Sequence, residues 1–232
     1  MKSYDLFQET KRIGLPIKNA VEIGVFFSKN CVLKNFIDAG TMTTLVEADP
    51  LCIEDIRKNF GSLQNVKIEA RAIWDERKTL SFFRAGASTF ASDVNGSPAQ
   101  VNDSYKRKEK DRFEVEAIPF SDIDDGKFNL VLIDVEGAEW NVLKTLVSRP
   151  EVLSLEMRAG LYQNPNSLKI QEWLKENNYK LWFHNDVDSV FIHQNHQLQN
   201  IHKLRYGLIN LRTDVLYSIE NTKKRLRRKL KG

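Results

Sequence analysis

Two hydrophobic rhythms alternate along the chain: short apolar runs typical of strands, and stretches where apolar residues recur every three or four positions, as on a helix face. Residues 19–26 read as a first strand, and Ser28 as the N-cap of a helix to about Asp38, closed by Gly40. Residues 43–48 read as a second strand. Pro50 opens a helix to Phe60, with Gly61 just past its end, and residues 66–73 read as a third strand. Short connections in this β-α-β-α-β order predict a parallel sheet with right-handed crossovers.

The rhythm then changes. Residues 79–84 and 113–118 read as strands, separated by a polar stretch, 85–112, with Gly86, Gly96, Pro98 and a charged run at 106–112. A long irregular segment inside a domain is either a functional lid or disordered. The apolar run 128–132 reads as a buried strand. It leads into Ile133-Asp134-Val135-Glu136-Gly137-Ala138-Glu139, and Val142, Leu143 and Leu146 then fall at helical spacing from Glu136. A strand at 152–157, a helix at 167–177 and strands at 179–183 and 189–193 follow. The short turn 185–188 makes the last two a hairpin at one sheet edge. From Lys203, the stripe Leu204, Leu208, Leu211, Val215 and Ile219 predicts a helix packed by that stripe and ending in a free basic tail. The chain therefore divides into a lead-in (1–18), one α/β domain (19–195) and a C-terminal amphipathic helix with a basic tail (200–232).

Composition is that of an ordinary globular protein, 41% hydrophobic and 28% charged over 232 residues. Met1 to Ala20 holds no apolar signal core, and no apolar run approaches the roughly 20 residues of a membrane span. Cys31 and Cys52, both in predicted helices, form no disulfide framework, which points to the cytoplasm. The net charge of +4 is a property of the tail: residues 223–232 carry seven of the 35 basic residues and no acid. The rest has 28 basic (35 less those seven) against 31 acidic residues, so a nucleic-acid-binding face spread over the fold is not expected.

Ligands of open α/β sheets sit at the carboxyl ends of the strands, where the chain places acids. The first strand ends Glu22-Ile23-Gly24, and Gly24 lets the backbone approach a ligand closely. Val25 and Ser28 in the same turn are candidate contacts, but no further glycine completes a pyrophosphate-cradling G-x-G-x-x-G. The second strand ends Glu47-Ala48-Asp49-Pro50, and an acid there can accept both hydroxyls of a ribose. A nucleoside site without a pyrophosphate cradle favours S-adenosylmethionine over NAD.

These segments, with Asn65-Val66-Lys67-Ile68, Ala72-Ile73-Trp74-Asp75 and above all the 133–139 motif followed by Val142-Leu143-Lys144, resemble the FkbM-type class I methyltransferases over residues 19–193. The resemblance implies a Rossmann-like α/β fold with a mostly parallel seven-stranded sheet, an antiparallel edge strand and helices on both faces. It implies bound S-adenosylmethionine and O-methylation of a sugar, nucleotide sugar or glycan precursor. Glu22 and Gly24 would border the methionine half of the cofactor, and Asp49 would take the ribose hydroxyls. Ala72 and Ile73 would meet the adenine, and Asp134 would face the methionine amino group or the reacting hydroxyl. Phe26-Phe27-Ser28 departs from the family's usual Asn and later Gly.

Methyl transfer to a hydroxyl needs alignment with the sulfonium and a group to take the proton. Asp134, Glu136, Glu156 and His184, each at or just past a strand end, are the catalytic candidates. For Glu156 an ion pair with Arg158, and for His184 a surface turn, are the competing structural readings. Asp134 and Glu136 also offer oxygen ligands of the kind Mg²⁺ takes, but the sequence names no third ligand, so Mg²⁺ stays an open alternative that is not the favoured reading and no metal ligand is assigned. His193 and His196 lack partners for zinc. The basic run 106–112 suits a phosphate-bearing acceptor or a solvated loop equally. The basic helix allows a solubilising end, a homodimer arm or peripheral contact with an anionic membrane. A catalytically silent α/β interaction module recruited through that helix is the alternative reading.

Overall fold

Along β1 (Asn19–Ile23), Ala20 packs into one apolar cluster and Val21 and Ile23 into another, so the strand is covered on both faces. The same alternation runs through β2 (Met42–Val46), β8 (Leu130–Ile133) and β9 (Val152–Glu156). With β3 (Val66–Glu69), β12 (Tyr179–Asn185) and β13 (Asp188–His193), these strands form a seven-stranded sheet of order β12-β13-β9-β8-β1-β2-β3. All neighbours from β9 to β3 are parallel. The expected hairpin lies at the edge, and its inner strand β13 runs against both β12 and β9. The computed structural model describes residues 4–86, 88–185 and 188–229. Asp186 and Val187 of the hairpin turn and residues 230–232 of the basic tail lie outside the described residues.

The predicted third strand does not stay in one sheet. It breaks after Glu69, and β4 (Ala72–Trp74) joins a second sheet of order β4-β7-β5-β6 with β5 (Lys78–Phe83), β6 (Phe90–Ala91) and β7 (Arg112–Pro119). The polar stretch 85–112 is folded over its described residues. It carries β6 and α4 (Pro98–Asn102), whose start is closed by a capping box between Ser97 and Gln100. Phe90 and Ala99 are buried there against Phe83, and the Arg107 guanidinium covers the Phe83 and Phe90 rings.

Among the helices, α3 (Pro50–Phe60) and α6 (Ser167–Glu176) form where the pattern places them. The helix expected from Ser28 to Asp38 does not form as one piece. A single 3₁₀ turn at Ser28–Asn30 is followed by α2 (Lys34–Asp38), and Cys31 lies in the link between them. Glu22 is the reason: its buried carboxylate accepts the Val32 and Leu33 amides and the Cys31 thiol, taking donors a continuous helix would use itself. The helix after Glu136 also starts late, as α5 (Glu139–Leu143).

The lead-in is part of the fold. In α1 (Leu6–Arg12), Leu6 is buried in the core and Phe7 packs edge-on against Phe36. Glu9, 4% exposed, accepts hydrogen bonds from Arg12, from Arg205 at 2.8 Å and from the Tyr206 hydroxyl at 2.8 Å. Arg205 and Tyr206 belong to α7 (Asn200–Lys229), whose inner face buries Tyr206, Ile209 and Thr213. The expected stripe on α7 faces the other way: Leu204, Leu208, Leu211, Val215 and Ile219 are exposed, because aromatic and polar side chains supply the packed face. No described helix is long and apolar enough to cross a membrane. Replacing Glu9 by Ala strands the Tyr206 hydroxyl and the Arg205 charge, so Glu9→Ala should lower unfolding stability by about 2–3 kcal/mol in urea denaturation.

Candidate active site

Strand order reverses direction at β1, which pairs with β2 on one side and β8 on the other, and a cleft opens at the carboxyl ends of these strands. Its empty volume, open solvent at the mouth included, is about 750 Å³. Gly24, Asp134 and Glu136 form its floor. One wall comes from the end of β2 (Glu47, Ala48, Asp49); the opposite wall comes from the second sheet and the folded polar stretch (Ala72, Ile73, Trp74, Phe82, Thr89, Ala91).

Gly24 has a reason the sequence did not show. Its φ is +89°, and a Cβ would stand 1.8 Å from the Asp134 carbonyl oxygen. The constraint is backbone against backbone, where β1 and β8 leave the sheet together and the Asp134 amide donates to the Ile23 carbonyl at 2.9 Å. Two cleft-lining residues, Phe26 (φ 62°) and Glu136 (φ 55°), hold left-handed conformations without being glycine, a costly geometry that clusters at functional sites.

Three glutamates spend their carboxylates on backbone amides. Glu22 holds 31–33 as described. Glu47 accepts from Phe26 at 2.7 Å, Ala48 at 2.8 Å and Asp49 at 2.9 Å, tying the β1 turn to the β2 turn. Fully buried Glu139 accepts from Val135 at 3.2 Å and Gly137 at 3.1 Å, and its other oxygen takes the Asn164 side-chain amide. Burial raises the pKa of all three, to about 7 for Glu22 and Glu139, against the lowering effect of those amides. Asp49, expected to face the ribose, is differently engaged: it caps α3 through the Leu51 amide and pairs bidentately with Arg84 at 2.6 and 2.9 Å. That pair fastens the start of the 85–112 stretch to the cleft rim.

Asp134, Glu136 and Glu156 are brought together, each offering an oxygen within 4.8 Å of the others. Asp134 is open to the cleft, Glu136 half-buried and Glu156 only 5% exposed. One oxygen each of Glu136 and Glu156 is buried with no hydrogen-bond partner among the described residues, and so is the hydroxyl of fully buried Tyr162. Desolvation first, and mutual repulsion second, push the pKa of Glu136 and Glu156 well above the carboxylate range; desolvation raises Asp134 as well. Arg158 does not pair with Glu156. It reaches Asp214 on α7 and lies over the Tyr217 ring.

The other candidates lie elsewhere. His184 is held between Ser189 and Asp214, outside the cleft lining, and desolvation drops its pKa to about 4. Val25 is a core residue, and Ser28 donates its amide to Asp55 on α3. In the 106–112 run, Arg107 bonds the Val94 carbonyl and Arg112 pairs with Glu114, so neither faces the cleft. Sequence reasoning missed Glu139, although an acid three residues past Glu136 fits a first-turn capping position. It also missed Trp74 and Phe82, which reach the cleft only through the second sheet.

A model of the methyltransferase FkbM domain matches residues 22–181 of this chain. The chain belongs to the FkbM methyltransferase family. Its methyl donor is S-adenosylmethionine, and the cleft fits that cofactor: an acid fixed at the β2 end suits a ribose, and a slot with Ile73, Trp74 and Phe82 suits an adenine. No match to the chain was found among curated proteins. Solved structures similar to this FkbM-family chain include a precorrin-6y C5,15-methyltransferase from Geobacter metallireducens GS-15. It is 13% identical, with a TM-score of 0.40, covering 81% of this chain and 87% of that one. The glycopeptide N-methyltransferase MtfA, solved with sinefungin, is 11% identical with a TM-score of 0.39, covering 81% and 84%.

Glu22 gives this site a pH signature. Its folded pKa is raised above the unfolded value, so the native state binds more protons between those values, and stability rises as pH falls through that window. Between pH 7.5 and 5.5 the melting temperature of the wild type should therefore rise relative to Glu22→Gln; a constant difference would contradict this assignment.

Proposed function

We propose that this FkbM-family enzyme transfers the methyl group of S-adenosylmethionine to a hydroxyl of a sugar or sugar-like small molecule. The supporting observation is the group of three carboxylates at the cleft floor with capacity left unspent. A sugar hydroxyl needs hydrogen-bond acceptors to orient it and an acceptor for its proton, and carboxylates supply both. The cofactor supplies an electrophilic methyl carbon. The chain aligns the acceptor oxygen with it and excludes alternatives.

In this reading Glu47, a cleft-lining residue whose orientation three amides fix, turns its remaining lone-pair capacity to the ribose hydroxyls; Asp49 supports the rim through Arg84. Asp134, the member of the acid group most open to the cleft, meets the acceptor. As the C–O bond forms and the C–S bond breaks, the hydroxyl proton passes to the acid group. The folded 85–112 stretch supplies Thr89 and Ala91 to the cleft and selects the acceptor.

The decisive experiment pairs calorimetry with a transfer assay using S-adenosylmethionine labelled in the methyl group and hydroxyl- or amine-bearing sugars. Label appearing only on amino sugars would overturn the O-methyl assignment. Glu47→Ala should weaken cofactor binding by tenfold or more. Asp134→Asn should leave that binding within about threefold and lower kcat by about 10²–10⁴, the usual share of a positioned acid–base group.

A further inference from the structure

We propose that Asp134, Glu136 and Glu156 form a binding site for a divalent cation of the Mg²⁺ class at the floor of the methyl-transfer cleft. The inference rests on the proposed methyl transfer and deepens it by naming what activates the acceptor. Three carboxylate oxygens within 4.8 Å of one another are near enough for one ion to draw together, and an all-oxygen acidic set suits Mg²⁺, Mn²⁺ or Ca²⁺. Two independent features point to a missing partner. Glu156, 95% removed from solvent, keeps one oxygen without a hydrogen bond among the described residues, although buried carboxylates are normally satisfied. The neighbouring Tyr162 hydroxyl, completely buried, is equally unpartnered among them.

The contrast with the other buried acids sharpens this. Glu22, Glu47 and Glu139 each take two or more backbone amides, whereas among the described residues these three take none, and Glu136 is met only by the Ser88 side chain. Asp134 and Glu136 line the cleft and Glu156 stands behind them, so an ion there borders the acceptor space. A hydroxyl bound to such a cation has a lowered pKa. With the carboxylates held as the cation's ligands, the proton leaves to cleft water in place of the acid group, and the O–C bond forms as the S–C bond breaks.

The test is Mn²⁺ titration of EDTA-treated full-length protein, followed by electron paramagnetic resonance and calorimetry with S-adenosylmethionine present. One Mn²⁺ per chain, displaced by Mg²⁺, is expected. Glu156→Gln should weaken it at least tenfold while its melting temperature holds. Asp134→Asn, on the open side of the site, should do the same and guards against a Glu156 variant that fails to fold. Wild-type protein that takes up no stoichiometric Mn²⁺, or variants that bind it equally well, overturn the site. Cofactor binding is read in the same calorimeter. Protein that binds S-adenosylmethionine but not Mn²⁺ refutes the cation site alone; protein that binds Mn²⁺ but not the cofactor refutes the methyl-transfer reading instead.

From a different observation we propose that the outer face of α7 is the interface with a second copy of this chain. Ile201, Leu204, Leu208, Leu211, Val215, Ile219 and Leu226 are each 46–70% exposed. At 100° per residue they fall within an arc of about 80°, opposite the packed face, which is the narrow seam of helix-on-helix packing. Together they leave roughly 800 Å² open, the area each partner contributes to a standard interface. One stripe on each copy is self-complementary, as a two-fold dimer requires. Sedimentation equilibrium of the full chain should give a dimer, and Leu204→Lys combined with Leu211→Lys a monomer of unchanged melting temperature. A wild-type monomer at tens of micromolar, or one that instead pellets with anionic phospholipid vesicles, overturns the assignment.

Discussion

The site depends on one close approach. Where β1 and β8 leave the sheet, the Gly24 backbone passes the Asp134 carbonyl with no room for a side chain, and the Asp134 amide closes onto Ile23. That contact fixes the distance between the first strand's turn and the acidic corner. The two sides of the cleft are thereby registered to each other through backbone alone. Side chains then refine a geometry that the strand ends have already set.

Buried acids divide into two kinds according to what their oxygens do. Glu22, Glu47 and Glu139 are structural in a specific sense: each gathers backbone amides of an irregular turn that no regular element would satisfy. Their cost is desolvation, visible as raised pKa, and their return is a loop held in one shape. Asp134, Glu136 and Glu156 carry the same desolvation, and among the described residues no amide meets them; one oxygen each of Glu136 and Glu156 has no partner there at all. Acceptors left open beside a cleft are what a ligand-binding site requires.

Most of the fold was legible in the chain because both faces of the central strands are buried and the helices carry their own punctuation. Pro50 and Gly61 bound α3 as written. The acidic corner was legible for the same reason, since charge directly after a buried run has no packing explanation. What failed did so where tertiary partners overrode local pattern. Glu22 breaks the helix after Ser28 by claiming its amides. Asp49 looked like a ribose ligand until Arg84, 35 residues away, occupied it. His184 sits at a strand end that points to α7 rather than to the cleft.

The sequence by itself determined the parallel α/β core, the strand-end location of the acids and the kind of cofactor, because these follow from periodicity and from which residue types stand at the corners. Only the tertiary structure decided the division of labour among the acids, because that depends on which amides and cations arrive from distant segments. Only it showed that the third strand splits to bring Trp74 and Phe82 into the cleft. Only it turned the apolar stripe of α7 outward, because the amphipathic pattern of an isolated helix does not say which of its two faces the core will choose.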